Sequence, residues 1–253
     1  MRVTENITYD QEKSFDRLQE ILDSTETFDE VTNIPHSDRL TYNNGFYINC
    51  YSIFVDIRDS STLPEKYKKS TLAKIYRAYI SEVVALFQSY ERCKEINIVG
   101  DSVWAVFEFT SKADVLSVFQ SAFTSVSIVK TLNYKLCHKG IDPVKIGIGI
   151  DKGQALMVRA GFKGSGINDV IYMGGVVNRA SKLCNKGNKN GINEIVVSQA
   201  VYDDLQGYNG TNDVPYQNML TRNIFEHFYH GTIFRISMNN WLTEQQHLKP
   251  CNR

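Results

Sequence analysis

The chain has 253 residues, which is enough for one large domain or for a moderate domain with an extension. Its 28 basic and 28 acidic side chains cancel, so the overall charge does not point to nucleic acid or an anionic membrane as a partner. No apolar run approaches the roughly 18 residues that cross a bilayer, and the start lacks the apolar core of a signal peptide. We therefore expect a cytoplasmic protein.

Cysteines are few and widely spaced, and none forms a C-x-x-C pair. They are Cys50, Cys93, Cys137, Cys184 and Cys251. An odd number without metal-binding spacing argues against a disulfide framework or a zinc site. The sequence therefore predicts reduced thiols that are mostly buried.

The first part of the chain carries an apolar stripe at helical spacing over residues 11–23, formed by Phe15, Leu18, Ile21 and Leu22. This predicts an amphipathic helix that packs on the domain or on a partner chain. The polar stretch 24–44 predicts an irregular connection. We therefore expect an N-terminal helical extension over 1–45, a main domain over 46–240 and a tail over 241–253.

From residue 46 the pattern alternates short apolar strands with helices. In chain order the predicted elements are a strand over 46–57, a helix over 72–90, strands over 94–99 and 102–109, a helix over 113–136, strands over 144–150, 154–160 and 168–173, a helix over 178–185, a strand over 194–198, a helix over 199–205, and strands near 223–230 and 232–238. The β-α-β-β-α-β order is that of a ferredoxin-like unit. We therefore predict an α+β fold, an antiparallel-rich sheet with added strands and helices packed on it.

Two aspartates stand where apolar strands end, Asp56 in FVDIRDSS and Asp101 in IVGDSVWAVF, 45 residues apart. Isolated aspartates in such places are usually caps or turn residues, but a pair can hold metal ions. The segments IGIGIDKG and VVNRASK follow in the order seen in one enzyme family. Together the four segments resemble class III nucleotidyl cyclases, which make adenosine or guanosine 3′,5′-cyclic monophosphate, over about residues 46 to 236.

The resemblance implies a metal site built from Asp56, Asp101 and the backbone carbonyl of Ile57. Oxygen ligands suit Mg²⁺ or Mn²⁺, and two such cations are expected. Backbone N–H groups just after the first strand are expected to meet the β- and γ-phosphates, as anion sites at helix starts do. They belong to Arg58, Asp59, Ser60 and Ser61. Asp59 is also expected to cap the next helix or turn.

The resemblance also implies two roles on the helix that follows residue 175. Asn178 matches an asparagine that orients the ribose, and Lys182 stands where the family has an arginine that stabilises charge on the α-phosphate. The four-residue spacing places both on one helical face. Lysine offers a point charge rather than a planar fork, so the replacement changes the contact. Arg179 stays open as an alternative for this phosphate, and equally as a surface residue.

Neither purine code of the family is present in the base pocket. Asn97 stands four residues before the second aspartate, where the family has lysine for adenine or commonly glutamate for guanine. Ile171 stands where the family has aspartate, threonine or cysteine, and it cannot hydrogen-bond a base edge. Asn97 can both donate and accept, which suits uracil or cytosine. Tyr51 on the first strand is a candidate to stack on the base, with ordinary packing as the alternative.

This pattern resembles the pyrimidine cyclases of bacterial Pycsar anti-phage systems, which make cyclic UMP or cyclic CMP. The resemblance implies a UTP or CTP substrate, with UTP slightly favoured. From the balanced charge and the lack of a long apolar run we expect no nucleic-acid or membrane partner. The resemblance also implies a homodimer whose two sites lie at the subunit interface, with metal aspartates from one subunit and ribose and transition-state residues from the other. Two alternatives stay open: an adenylate cyclase with an unusual base pocket, and a non-catalytic cyclase-homology domain that senses nucleotide or mediates dimerisation.

Overall fold

The computed structural model describes residues 6–164 and 167–251. Its helices are α1 (Gln11–Asp23), α2 (Leu63–Lys66), α3 (Lys69–Gln88), α4 (Val115–Cys137), α5 (Gly175–Lys186), α6 (Gln199–Asp204) and α7 (Ile236–Leu248). Its strands are β1 (Thr27–Val31), β2 (Asn44–Ile57), β3 (Cys93–Val99), β4 (Ser102–Glu108), β5 (Ile146–Phe162), β6 (Ile167–Met173), β7 (Ile195–Ser198), β8 (Thr221–Asn223) and β9 (Phe228–Gly231).

The chain folds into two compact units. The smaller contains the residues up to Asn49 together with Gln154–Gly175, and the larger contains Cys50–Gly153 and the chain from Val176 onward. The predicted boundary near residue 45 falls within β2, which begins at Asn44 and contributes to both units. The predicted division into extension, domain and tail stays a prediction.

The larger unit contains the β-α-β-β-α-β order predicted from the sequence, formed by β2, α3, β3, β4, α4 and β5. Its strands lie in the order β3-β4-β2-β5-β7-β9-β8. Strand β4 pairs antiparallel with both β2 and β3, β5 pairs parallel with β7, and β9 pairs antiparallel with both β7 and β8. The predicted α+β, ferredoxin-like sheet with added strands is therefore confirmed.

The core of the larger unit lies on the sheet face that α3 and α4 cover. Alternate residues of β2 and β4, among them Val55 and Val103, are buried in one cluster with α3 residues such as Tyr79. Because side chains alternate along a strand, the residues between them point to the other face. Phe54 and Asp56 of β2 therefore share that second face, outside the helix-covered core.

Strand β5 is one continuous strand, whereas the sequence predicted two strands over 144–150 and 154–160. Asp151 lies between the two predicted strands, and it is buried in the structure. The Asp151 carboxylate lies 2.8 Å from Nε of Arg179 on α5. A tertiary partner therefore lets a charged residue stand inside a strand, and the sequence pattern contains no sign of that partner.

The C-terminal segment is helical, although a strand was predicted over residues 232–238. Helix α7 begins at Ile236 and packs against α4, with Leu242 buried. The Tyr134 hydroxyl donates to carbonyl oxygens near its end, at 3.1 Å from Gln245 O and 3.2 Å from Lys249 O. The β-branched and aromatic residues before 238 gave a strand signal that packing on α4 overrides.

The smaller unit contains a strand where an irregular connection was predicted. Strand β1 pairs parallel with the start of β2, with Thr27 opposite Asn44. Helix α1 forms as predicted, but its apolar stripe is exposed on the described residues rather than packed on the domain. Arg17 of this helix lies over the ring of Phe162, 4.9 Å from its centre.

The cysteines are not all reduced, contrary to the prediction. Cys137 at the end of α4 and Cys251 beyond α7 form a disulfide, with Cα atoms 6.3 Å apart. Cys50 and Cys184 are free and buried, and Cys93 is free and partly buried. The pair lies 114 residues apart in the sequence, a separation that offers no recognisable spacing signal.

One segment of the described chain, Lys112–Cys137, has the length and composition of a membrane-spanning helix. However, 56% of its most apolar stretch is buried inside the fold. This segment contains α4, which packs between the sheet, α3 and α7 as a core helix.

Candidate active site

An acidic pair forms at one end of β2 and β4. Asp56 is the second-last residue of β2, and Asp101 lies in the tight turn between β3 and β4, where Gly100 adopts a φ of 64°. The antiparallel register sets Val55 opposite Val103, which carries the two aspartates to the same end of neighbouring strands. Burial and the nearby Asp101 carboxylate together raise the pKa of Asp56. The two predicted metal ligands therefore lie close enough for the charge of one to affect the other.

The Arg58 guanidinium holds the first aspartate in place. Its Nη2 atom lies 2.5 Å from Oδ2 of Asp56, and the Arg58 side chain is only 3% exposed. Nη1 of Arg58 donates to the carbonyl of Asn185 on α5, at 3.3 Å. The Arg58 backbone N–H donates to Lys145 O at 2.8 Å, so this N–H is already engaged and not free for a phosphate, contrary to the prediction. Arg58 instead positions the Asp56 carboxylate.

The loop after β2 remains close to the acidic pair. Asp59 adopts a left-handed conformation with a φ of 54° and precedes a single 3-10 turn over Ser60–Thr62. The predicted side-chain cap from Asp59 does not form; its backbone carbonyl accepts from Thr62 N at 3.0 Å instead. Asp59 and Ser61 are exposed, and Ser60 is half-buried. This leaves the loop accessible beside Asp56.

Two glycines of the IGIGI segment let α5 lie directly on β5. A side chain on Gly149 would overlap the Ala180 carbonyl and the Cys184 backbone nitrogen of α5, and one on Gly147 would approach Cys184 O within 2.5 Å. Their isoleucine neighbours point into the core, so the strand is bulky on one face and bare on the other. The glycine face of this segment is therefore the surface on which α5 packs, and α5 carries Asn178 and Lys182.

Helix α5 buries one side and presents the predicted residues on the other. Its buried residues are Val176, Ala180, Leu183 and Cys184. Asn178 and Lys182 are both exposed, as their four-residue spacing requires for a shared face.

Lys182 and Asp56 of the same chain line one pocket of about 440 Å³. Phe54, Trp104 and Asn185 are also in its lining. A second pocket of about 490 Å³ is bordered by Lys182 as well. The lysine therefore stands between two cavities, and one of them contains the first metal-ligand candidate.

Arg179 borders the second pocket and interacts with Asp151. Asp151 is only 1% exposed, and burial raises its pKa while Ser198 and Arg179 lower it. Among the described residues that border the Asp56 pocket, Lys182 is present and Arg179 is not. Of the two cations considered for the α-phosphate, Lys182 is the one that lines the Asp56 pocket in this chain.

Tyr51 is a core residue and does not line the pocket. Its side chain is fully buried, and its hydroxyl donates to Oδ2 of Asp204 at 2.7 Å. Lys152 pairs with the same Asp204 oxygen at 2.7 Å. Burial, followed by the hydrogen bond to Asp204, raises the pKa of Tyr51. The predicted stacking role is therefore wrong, and the packing alternative is correct.

Phe54 and Trp104 form an aromatic pair that the sequence analysis missed. Their rings stack with centres 5.3 Å apart and planes 6° from parallel. Phe54 shares the sheet face of Asp56, since the two lie two residues apart on β2. The sequence signal for Phe54 was its two-residue spacing from Asp56, since residues i and i+2 of a strand point to the same face. An aromatic ring beside Asp56 takes up space in the site.

Asn97 lies on the same sheet face, opposite Trp104 in the β3–β4 pairing. Its Nδ2 atom is buried and has no hydrogen-bond partner among the described residues. A buried amide without a partner costs free energy unless a ligand or water satisfies it. The predicted base-reading residue therefore has a donor available.

Ile171 belongs to the smaller unit. It lies on β6 opposite Val158 of β5, and 42% of its surface is exposed. An apolar residue that stays exposed on a hairpin is available to a ligand or to another chain. Its predicted role at the base stays a prediction.

The acidic pair fits a divalent cation by the chemistry of its donors. Oδ2 of Asp101 is buried and has no hydrogen-bond partner within the described part of the chain. Carboxylate oxygens are the ligands that Mg²⁺ and Mn²⁺ prefer. Within that same part no group of three or more His, Cys, Asp or Glu side chains is gathered, so backbone and substrate oxygens would have to complete the coordination.

The ferredoxin-like sheet with an acidic pair at one end of two neighbouring strands is the arrangement that the sequence predicts for a nucleotidyl cyclase. The family described as Adenylate and Guanylate cyclase catalytic domain matches residues 46–223. The chain therefore belongs to the class III nucleotidyl cyclases, and it is a nucleotide cyclase, a lyase. Enzymes of this class depend on divalent metal ions.

Three relatives have names that specify a base. The chain is 40% identical over 252 residues to Uridylate cyclase from Gulbenkiania mobilis, covering 94% of this chain and 98% of the relative. It is 32% identical over 201 residues to Uridylate cyclase from Treponema porcinum, covering 79% and 70%. It is 29% identical over 158 residues to Cytidylate cyclase from Staphylococcus aureus, covering 59% and 36%.

Solved structures of the family share the fold. The adenylyl cyclase CyaB from P. aeruginosa superposes with a TM-score of 0.60 at 20% identity, covering 76% of this chain and 97% of its own. This likeness confirms the architecture of the sheet and its helices.

Proposed function

We propose that the chain converts a pyrimidine nucleoside triphosphate to its 3′,5′-cyclic monophosphate and pyrophosphate, and that UTP is preferred to CTP. The observation that carries the proposal is the acidic pair Asp56 and Asp101, in a chain 40% identical over 252 residues to a relative named Uridylate cyclase. The relative named Cytidylate cyclase matches a shorter part of the chain at lower identity, which is why UTP is placed first.

The reaction forms one bond and breaks one. The ribose 3′ oxygen bonds to the α-phosphorus, while the bond from that phosphorus to the oxygen bridging to the β-phosphate breaks. Pyrophosphate leaves with the electron pair, and the hydroxyl proton passes to solvent. Asp56, Asp101 and the Ile57 carbonyl would hold two divalent cations, Mg²⁺ or Mn²⁺, whose charge lowers the pKa of the hydroxyl and neutralises phosphate oxygens.

The chain's own side chains bind and orient the substrate in this proposal. Asn178 orients the ribose ring, and Lys182 stabilises the charge that builds on the α-phosphate. The backbone N–H groups of Asp59, Ser60 and Ser61 meet the β- and γ-phosphates. The accessible loop beside Asp56 and the pocket that Lys182 shares with Asp56 support these assignments.

Selection of a pyrimidine rests on Asn97 and on the aromatic pair. The unpartnered amide of Asn97 can donate to O4 of uracil and accept from N3–H, or serve the N4 and N3 edge of cytosine. Phe54 and Trp104 take up space on the same sheet face, which leaves less room for a purine. Ile171 cannot accept a hydrogen bond from the exocyclic amine of adenine. Leaving that amine unpaired in the pocket would weaken the binding of adenine by roughly 1–3 kcal/mol.

A single assay tests the substrate. The purified chain is incubated with ATP, GTP, CTP and UTP in turn, with Mn²⁺, and the cyclic product is identified by mass. We expect cyclic UMP to form fastest. Cyclic AMP as the main product would overturn the pyrimidine assignment, and no product from any of the four would favour a non-catalytic domain.

We further propose that the product is a second messenger of anti-phage defence in the cytoplasm, as the resemblance to Pycsar cyclases suggests. The test follows the cyclic nucleotide in bacteria that express the chain or its Asp101→Asn variant, before and after phage infection. A rise on infection only with the unmodified chain supports the role. A constant level that infection does not change contradicts it.

A further inference from the structure

The loop that follows α5 carries a lysine to the edge of the Asp56 pocket. Nζ of Lys189 donates to Oδ1 of Asn185 at 2.7 Å. Asn185 lines the pocket with Asp56, and its carbonyl accepts from Arg58. Asn185 therefore accepts hydrogen bonds from both Lys189 and Arg58.

The backbone of this loop is held by its own hydrogen bonds. Ile192 N donates to Lys189 O at 2.8 Å, and Asn188 N donates to Asn193 O at 3.1 Å. Asn188, Asn190 and Gly191 adopt positive φ angles, a conformation that glycine and asparagine accept at low cost. The lysine thus projects from a defined turn.

The Lys189 charge acts on the acidic pair. Together with Arg58 it lowers the pKa of Asp56 against the larger effects of burial and Asp101. Lys189 is exposed, so its side chain is accessible to a ligand. The ammonium has three N–H donors and uses one for Asn185, which leaves two for a ligand.

The requirement for a further cation follows from the charges at the site. Arg58 is already committed to Asp56 at 2.5 Å and is buried, so it cannot turn to a substrate. Lys182 is assigned to the α-phosphate on the basis of its match to the family. Lys189 is exposed and can supply a second ammonium to the terminal phosphates of a nucleotide beside Asp56 and Asp101.

We propose that Lys189 binds the terminal phosphates of the nucleotide held at the acidic pair of its own chain, and thereby retains the pyrophosphate that leaves. The inference rests on the proposed placement of the triphosphate at Asp56 and Asp101. It assigns Lys189 to substrate and product binding, and the transition-state charge remains with Lys182.

The test compares Lys189→Gln, Lys189→Arg and the control Lys112→Gln. Lys112 is also exposed but lies beyond the far end of β4 from Asp101. We expect Lys189→Gln to raise both KM for the triphosphate and the inhibition constant of pyrophosphate roughly ten-fold, with kcat within about three-fold of the unmodified chain. Lys189→Arg is expected to keep both constants within about three-fold, and Lys112→Gln to leave them unchanged.

Two results would overturn the inference. One is an unchanged pyrophosphate inhibition constant in Lys189→Gln. The other is an equal loss in Lys189→Gln and Lys189→Arg with a lowered melting temperature, which would mean that the lysine supports the loop only. The outcome is separable from the proposed function, because calorimetric titration of pyrophosphate with Mn²⁺ reports on Lys189 even if no nucleotide is cyclised. Conversely, full turnover of UTP by a Lys189→Gln variant with unchanged constants removes only this inference.

Discussion

Arg58 and Asp56 form an ion pair in which the cation is buried and the carboxylate is half-buried, with 2.5 Å between Nη2 and Oδ2. The arginine also bridges to α5 through the Asn185 carbonyl. One side chain therefore links the strand that carries the first metal-ligand candidate to the helix that carries Lys182.

We expect Arg58→Met to lower the free energy of unfolding by about 2–3 kcal/mol, because it leaves Asp56 and the Asn185 carbonyl without their partner. Arg58→Lys should lose less, since it keeps the charge but not the fork. Urea unfolding at neutral pH measures both. Equal stability of Arg58→Met and the unmodified chain would contradict the positioning role.

A second prediction concerns Tyr51, for which stacking on the base and packing in the core were the two roles considered. Its burial assigns it to the core. Tyr51→Phe removes the hydrogen bond to Asp204 and should cost about 1 kcal/mol of stability, while Lys152 still pairs with that carboxylate. KM for UTP should not change. A several-fold rise in KM at unchanged stability would restore Tyr51 to the base site.

The contrast between Tyr51 and Asn97 shows what the sequence could predict about the site. Asp56, Asp101 and Asn97 were found because each stands at a fixed offset in a short motif. Tyr51 and Phe54 are three residues apart on β2, so they point to opposite faces of the sheet. Tyr51 is buried on the face that the helices cover, and Phe54 lines the pocket on the other face. The covered face is set by α3 and α4, which no local pattern specifies.

The same limit explains the errors in the fold. The order β2-α3-β3-β4-α4-β5 was predicted from periodicity, since each element is long enough to show its own pattern. The continuous β5 was missed because Asp151 forms an ion pair with Arg179, which is distant in the sequence. The helix α7 was missed because its stability depends on packing against α4, where Leu242 is buried. The disulfide between Cys137 and Cys251 depends on the docking of α7 in the same way.

At Gly149 the backbone of β5 lies in close contact with the backbone of α5. Gly149→Ala should destabilise the fold by about 3 kcal/mol or more, because the added methyl overlaps backbone atoms of α5 that cannot move independently. Gly153→Ala is the matched control, since its methyl would meet only the Val176 side chain at 3.3 Å. Thermal unfolding compares the two, and similar melting temperatures would show that α5 can shift away from β5.

Asp101→Asn should separate stability from activity. Removing one of two neighbouring carboxylates relieves the repulsion that raises the pKa of Asp56, so the metal-free protein should gain about 1 kcal/mol. The variant should lose at least 100-fold in cyclase activity, because a proposed metal ligand is gone. Mn²⁺ should raise the melting temperature of the unmodified chain but not of the variant.

Asp16→Asn is the control for this experiment, since Asp16 is exposed on α1 and has no role in the proposed site. It should keep both activity and the stabilisation by Mn²⁺. If Asp101→Asn is still stabilised by Mn²⁺ as strongly as the unmodified chain, the acidic pair is not where the cation binds.

A mixing experiment decides whether the two halves of a site come from one chain or from two. The family resemblance implies a shared site, yet Lys182 and Asp56 of one chain line the same pocket. With sites shared across a homodimer, Asp56→Ala mixed with Lys182→Ala yields hybrids in which one of two sites is intact. Equal mixing makes half of the dimers hybrid, so about a quarter of full activity should return.

The control mixes Asp56→Ala with Asp101→Ala. Both changes fall on the metal-binding half, so each hybrid site is broken and no activity should return. Recovery in the first mixture and none in the second requires Lys182 to act on the partner's metal site. No recovery in either, with hybrid dimers confirmed by native mass spectrometry, assigns Lys182 to the Asp56 of its own chain, because the shared pocket then contains a complete site within one subunit.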